Sequence, residues 1–154
     1  MSSPENFVRK AYRIARIAHG EQVDKQGRNY VDNHLEPVAE ILRPFGPEAE
    51  AAGWLHDVLE DTPWAAGDLE REGIPAVVVE AVLSDTRRPP ESYRELIDRA
   101  CAHPLGRLVK LADNWVNLTG LHDLAQVDPA TASRLRGRYE SARVRLTASL
   151  VGEA

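Results

Sequence analysis

The sequence predicts an all-α fold, a compact bundle of about seven to eight helices forming one domain over residues 1–154. Three observations carry this reading. Apolar residues recur at helical spacing between turn signals. Proline and glycine cut the chain into helix-sized pieces. No period-2 alternation long enough for a strand occurs; Val77-Val78-Val79 is β-prone but too short to overturn the helical frame.

Taken in order, Ser3-Pro4 reads as an N-cap with proline at the first helical position, and Phe7, Val8, Tyr12, Ala15, Ile17 and Ala18 keep a helical period up to Gly20. Residues 21–33 are polar, contain Gly27 and read as a loop. A second helix is expected from about His34 to Leu42, with Pro37 tolerated in its first turn, and Arg43-Pro44-Phe45-Gly46-Pro47 ends it. A third is expected over Glu48 to Glu60, stopped by Thr62-Pro63. A short helix or turn follows at 68–73, then a helix opened by Pro75 and running through Leu83. Arg87-Arg88-Pro89-Pro90 breaks the chain. Helices are then expected from Glu91 to Ala102, from Pro104 to about Leu118, and from Pro129, with Asp128 as N-cap, almost to the end.

Composition narrows the function classes. The 154 residues are 43% hydrophobic and 28% charged, enough apolar material for a core without staples. The single cysteine, Cys101, allows no internal disulfide and agrees with a reducing compartment; it reads as a small semi-buried residue. No signal-peptide stretch or membrane-spanning run is visible, so a cytoplasmic protein with no membrane partner is expected. The net charge of −5 argues against nucleic-acid binding, which needs a basic footprint, but allows a phosphorylated small substrate whose charge is met locally.

The chemistry concentrates in Trp54-Leu55-His56-Asp57-Val58-Leu59-Glu60-Asp61-Thr62. His56 and Glu60 are four apart, as are Asp57 and Asp61, so each pair stacks on one helix face. His56 and Asp57 lie about 100° apart around the axis, close enough to reach one ion. A plain helix C-terminus is the competing reading, but acidic residues there oppose the helix dipole. The second segment is Leu108 to Leu118, in which Lys110, Asp113 and Asn117 form one polar stripe suited to a metal–phosphate site. Alone, a buried Asp is more often a hydrogen-bond hub. His34 is the third element; a lone histidine is more often structural than a ligand, and His19, His103 and His122 are read that way. The arginines at 134, 136, 138, 143 and 145 could bind phosphate, but a solvated helix face is the better reading.

Together these pieces resemble the HD-domain superfamily of metal-dependent phosphohydrolases, whose pattern is one His, an adjacent His-Asp pair and a distant Asp. Within it, the chain is most similar to the hydrolase domain of the Rel/SpoT-type alarmone enzymes and their small stand-alone relatives. The stretches that carry the resemblance are AHGEQVDKQGRNY (18–30), HLEPVAEIL (34–42), GWLHDVLEDT (53–62) and VKLADNWVNL (109–118). The resemblance implies an all-helical HD bundle and one divalent ion, commonly Mn²⁺, held by His34, His56, Asp57 and Asp113. It implies that Glu60 and Asp61 are the catalytic acidic pair, that Asn117 lines a nucleotide site, that Lys25, Arg28 and Tyr30 lie in a substrate-contacting loop, and that Lys110 supports the site. From the residues themselves, Arg87 and Arg88 are expected at the rim, beside an outer phosphate.

The expected reaction is metal-assisted removal of a phosphate or pyrophosphate from a nucleotide, first of all as a guanosine-3′,5′-bis(diphosphate) 3′-pyrophosphohydrolase. The alternatives are a general nucleotide phosphatase on the same site, including removal of the NADPH 2′-phosphate, and a catalytically silent metal- or nucleotide-binding module. The chain departs from the family at two points. Asp24-Lys25 stands where the family often has Arg-Lys, and Val31-Asp32-Asn33 holds one extra residue before His34.

Overall fold

The computed structural model describes residues 3–151, with side chains through 148. Among these residues every element is helical, and the strand-like feature is one isolated antiparallel bridge between Val23 and Asn29. The helices are α1 (Pro4–His19), α2 (Glu36–Leu42), α3 (Pro47–Leu55), α4 (Val58–Asp61), α5 (Ala66–Arg71), α6 (Ala76–Asp85), α7 (Tyr93–Cys101), α8 (Pro104–Val127) and α9 (Pro129–Val151). A π-helical turn, Val31–Leu35, leads into α2, and a 3₁₀ turn, Arg43–Phe45, follows it. None of these helices is long and apolar enough to cross a membrane.

α3 is the hub, packing against α1, α2, α6 and α8. Its sequence explains this position: from Ala49 the apolar residues run all round the helix rather than along one stripe, and Ala51, Ala52, Gly53, Trp54 and Leu55 are all buried. Small side chains let the neighbours come close. A Cβ on Gly53 would stand 2.9 Å from Leu42 Cδ1 and 3.0 Å from the Ala39 Cα, so α2 and α3 could not keep their present approach. Gly53→Ala is therefore expected to cost about 1–3 kcal/mol of stability, read by urea denaturation. It should also weaken divalent-metal binding, because Gly53 holds His56 as described below.

α8 and α9 form a long hairpin that extends the bundle, closed by Leu121, Leu124, Ala132 and Leu135. Asp128 caps α9 as expected, its Oδ1 accepting from the Thr131 amide at 3.1 Å. Several boundaries differ from the sequence reading, among them the short helix expected at 68–73, which lies at Ala66–Arg71, and the loop expected to run to residue 33, which gives way to the π-turn at Val31. α8 runs on to Val127 because Leu121 and Leu124 bury against α9. α6 runs two residues further, to Asp85. α7 starts at Tyr93 because the Ser92 hydroxyl accepts from the Glu95 amide at 3.1 Å and sets the cap there. The helix expected over 48–60 is broken at His56-Asp57, where Asp57 sits at φ −105°, ψ −1°. That is the sparsely populated bridge region in which many active-site residues are found.

Candidate metal centre and substrate cavity

The break between α3 and α4 places His56 and Asp57 side by side. The His56 ring is 1% exposed, and its Nδ1 donates to the Gly53 carbonyl at 2.7 Å. A carbonyl only accepts, so Nδ1 carries a proton and Nε2 is the nitrogen left to face the cluster. The π-helical turn brings His34 inward alongside Val31 and Leu35 and leaves Asp32 and Asn33 outside. Within this turn the Glu36 amide reaches back five residues to the Val31 carbonyl. From α8 comes Asp113, in the buried stripe with Lys110 and Asn114.

These elements converge. His34 Nε2 lies 3.3 Å from His56 Nε2 and 2.9 Å from Asp113 Oδ1. His56 Nε2 lies 3.1 Å from Asp57 Oδ2 and 3.4 Å from Asp113 Oδ1. Among the described residues, His34, His56 and Asp57 offer donor atoms all within 4.8 Å of one another, a group that could hold a metal ion, and Asp113 adjoins both imidazoles. The electrostatics fit a cation at this point. Burial works against an imidazolium at His56, yet the Asp57 and Asp113 carboxylates outweigh it and push the ring's pKa well above its ordinary value. Burial also works against charge on Asp57 and Asp113, but His56 holds the first low, and Lys110 and His34 hold the second low. Two ionised carboxylates in a buried pocket beside two imidazoles would be compensated by a divalent cation, for which His34, His56 and Asp57 offer converging donor atoms.

A surrounding layer fixes the donors. Tyr30 stacks on His34 with ring centroids 5.0 Å apart and donates its hydroxyl to Asp57 Oδ2 at 2.5 Å. Burial and the Asp57 charge raise the Tyr30 pKa, so the phenol remains a donor. Lys110 Nζ sits 3.2 Å from Asp113 Oδ2, which leaves Oδ1 for the imidazoles, and Asn117 Nδ2 donates to that Oδ1 at 3.2 Å. Burial disfavours the Lys110 ammonium, but Asp113 and Asp85 raise its pKa and keep it charged.

A cavity of about 400 Å³ opens over this cluster, large enough for a nucleotide-sized ligand. Lys25, Arg28, Tyr30, His34, Asp57, Glu60, Asp61, Lys110, Asp113 and Asn117 all line it, while His56 lies beneath the wall. Glu60 and Asp61 are held from two sides. Glu60 Oε1 accepts from the Arg87 amide at 2.8 Å, and Asp61 Oδ2 accepts from Gln22 Nε2 at 3.1 Å. Burial, together with the Asp57 charge, raises the Asp61 pKa.

Arg87 and Arg88 are not part of the lining. The Arg87 Nε donates to the Glu91 carbonyl at 2.9 Å, and the Arg88 amide donates to Glu91 Oε1 at 3.1 Å, so the loop folds back on itself. Its link to the site is the Arg87 backbone rather than a guanidinium. Asp24 closes the loop before Tyr30: Oδ1 accepts from the Gln26 and Arg28 amides at 2.8 and 2.9 Å, and Oδ2 pairs with Arg28 Nε at 2.9 Å. Sequence reading did not single out several of the wall residues, those of α9 among them. Tyr93, Arg138 and Tyr139 come from α7 and α9. The arginine at 138 was visible only as one of several on a helix read as solvated.

An all-helical bundle that brings a His, a His-Asp pair and a distant Asp to one point is an HD-domain architecture. Comparison with known proteins narrows it. No family model matches the chain. It is 35% identical over 123 residues, 74% of the chain, to the guanosine-3′,5′-bis(diphosphate) 3′-pyrophosphohydrolase of Aquifex aeolicus. It is 31% identical over 129 residues, 76% of the chain, to the bifunctional (p)ppGpp synthase/hydrolase SpoT of Escherichia coli. The chain spans 18% of the length of each of these two curated relatives. Among solved structures, a metazoan ortholog of SpoT described as hydrolysing ppGpp superposes with a TM-score of 0.76 at 27% identity, covering 97% of this chain and 88% of that one. The chain belongs to the Rel/SpoT type of HD-domain proteins.

Proposed function

We propose that this chain is a metal-dependent nucleotide phosphohydrolase, acting as one hydrolase domain over 1–154, and first of all a guanosine-3′,5′-bis(diphosphate) 3′-pyrophosphohydrolase in the cytoplasm. The observation that carries the proposal is the meeting of His34, His56, Asp57 and Asp113 at the floor of a cavity that Glu60 and Asp61 also line. A divalent cation held by those four residues, Mn²⁺ before Fe²⁺, Co²⁺ or Zn²⁺, would supply Lewis acidity toward a phosphoryl oxygen and an acidified water.

The chain's own residues do the rest. Glu60, positioned by the Arg87 amide, and Asp61, positioned by Gln22, orient the attacking water and exchange its proton. The raised pKa of Asp61 brings it nearer to neutral pH, where a carboxyl both takes and returns a proton more readily. Lys110 fixes Asp113, and Tyr30 fixes Asp57. Lys25 meets phosphate charge at the cavity wall.

Incubating the purified protein with Mn²⁺ and a panel of phosphorylated nucleotides tests this. Release of pyrophosphate from guanosine-3′,5′-bis(diphosphate) supports the first choice. Orthophosphate release, from the NADPH 2′-position among others, points to the general phosphatase. Binding without turnover of any member sinks the hydrolytic reading.

A further inference from the structure

The cavity wall carries four cations, Lys25, Arg28, Lys110 and Arg138, among five carboxylates, those of Asp24, Asp57, Glu60, Asp61 and Asp113. An anionic ligand can use only the cations that are not already neutralised. Lys110 is committed to Asp113 at 3.2 Å. Arg28 is committed to Asp24 at 2.9 Å, with Asp123 a further 3.7 Å neighbour. Among the described residues, Lys25 and Arg138 have no carboxylate partner. Arg138 is nonetheless held: its Cζ lies 4.5 Å from the centroid of the Tyr93 ring, which the Lys110 ammonium approaches to 6.0 Å. A guanidinium supported on an aromatic ring keeps its fork free for a planar, two-point grip on phosphate. The other arginines of α9 differ, with Arg136 pairing with Glu140, Arg145 with Asp98, and Arg134 lying off the cavity wall.

Arg138 reaches the cavity from α9 on the Tyr93 side, and its partner there is that ring rather than any of the four candidate metal ligands, which leaves it for a phosphate other than the one placed over them. The loop position at which the family often carries arginine is Asp24 here, and that carboxylate is spent on closing the loop. We infer that Arg138, seated on Tyr93, anchors the phosphate group of the nucleotide that is not cleaved, and so selects nucleotides phosphorylated at two positions over those phosphorylated at one. This rests on the phosphohydrolase reading above and adds a specificity-determining residue to it.

The test compares the wild type, Arg138→Gln, Arg138→Lys and the control Arg134→Gln, each loaded with Mn²⁺. The substrates are guanosine-3′,5′-bis(diphosphate) and guanosine 3′-diphosphate, which lacks the 5′ phosphates. Arg138→Gln should raise KM for the first substrate roughly ten- to a hundredfold, hold kcat within about twofold, and leave KM for the second unchanged. Arg138→Lys should fall between, and Arg134→Gln should match the wild type. Equal losses on both substrates, no loss on either, or a wild type indifferent to the 5′ phosphates would overturn the inference. If the wild type turns over neither substrate, the hydrolytic reading fails on its own. Calorimetric titration with guanosine 5′-diphosphate then decides Arg138 separately: binding about tenfold weaker in Arg138→Gln supports the anchor, and equal affinity removes it.

Discussion

His56→Ala is expected to lose bound metal and hydrolytic activity together. The ring is fully enclosed, with Nδ1 satisfied by Gly53 and Nε2 within 3.4 Å of three other donor groups. Truncation removes one of two nitrogen donors and leaves the Asp57 and Asp113 carboxylates facing each other with less compensation. Loss of an outer partner of a metal ligand typically costs about 10–100-fold in affinity, and loss of the ligand itself should exceed that. Elemental analysis and Mn²⁺ titration read the first effect, and phosphate release reads the second. A thermal melt separates both from unfolding, since a cavity at so buried a site should also lower stability. A variant with wild-type metal content would dismantle the ligand assignment.

Glu60→Gln should leave metal content unchanged while lowering kcat by about 10²–10⁴-fold. The glutamine can still accept the Arg87 amide through its carbonyl oxygen, so the neighbouring loop stays in place and only the charge and proton-accepting capacity are lost. Asp61 supplies an independent check through pH. Burial and the Asp57 charge raise its pKa, so its ionised form is lost at a higher pH than for an ordinary carboxylate. If that form is required, the acid limb of the pH–rate profile lies higher than an unperturbed aspartate would place it, and Asp61→Asn removes that limb as well as most of the rate. Full activity in Glu60→Gln would refute its place in proton transfer.

The helical frame was legible because it rests on local patterns, whereas His34 and Asp113 joined His56 and Asp57 only through the family resemblance. Apolar periodicity between prolines and glycines marks the helices, and a His-Asp pair beside Glu60-Asp61 has no ordinary role on an apolar helix. The break at His56-Asp57 was not legible. Nothing in the local residue pattern forbids a continuous helix there, and the turn reflects where His56 must point once α2 and α8 are in position. The extent of α8 was hidden for a related reason: Thr119-Gly120 weakens a helix by roughly 1 kcal/mol on propensity, and burial of Leu121 and Leu124 on α9 outweighs it. Arg138 was invisible because five arginines on one helix look alike until the packing of α9 decides which of them reaches the cavity. At Arg87 and Arg88 charge suggested contact with phosphate, and the link the fold shows there is one the sequence does not signal, the Arg87 backbone amide on Glu60.

The wide turn at Val31–Leu35 makes the tether between Tyr30 and His34 tolerant of length. Tyr30 is anchored on Asp57 and His34 beside Asp113, and Asp32 and Asn33 face outward between these two fixed points. A homologue one residue shorter could keep both anchors on an ordinary helical turn, so insertions and deletions here are structurally silent. Any search that demands fixed spacing from that tyrosine to the first histidine will miss chains built like this one, although their donor atoms are the same.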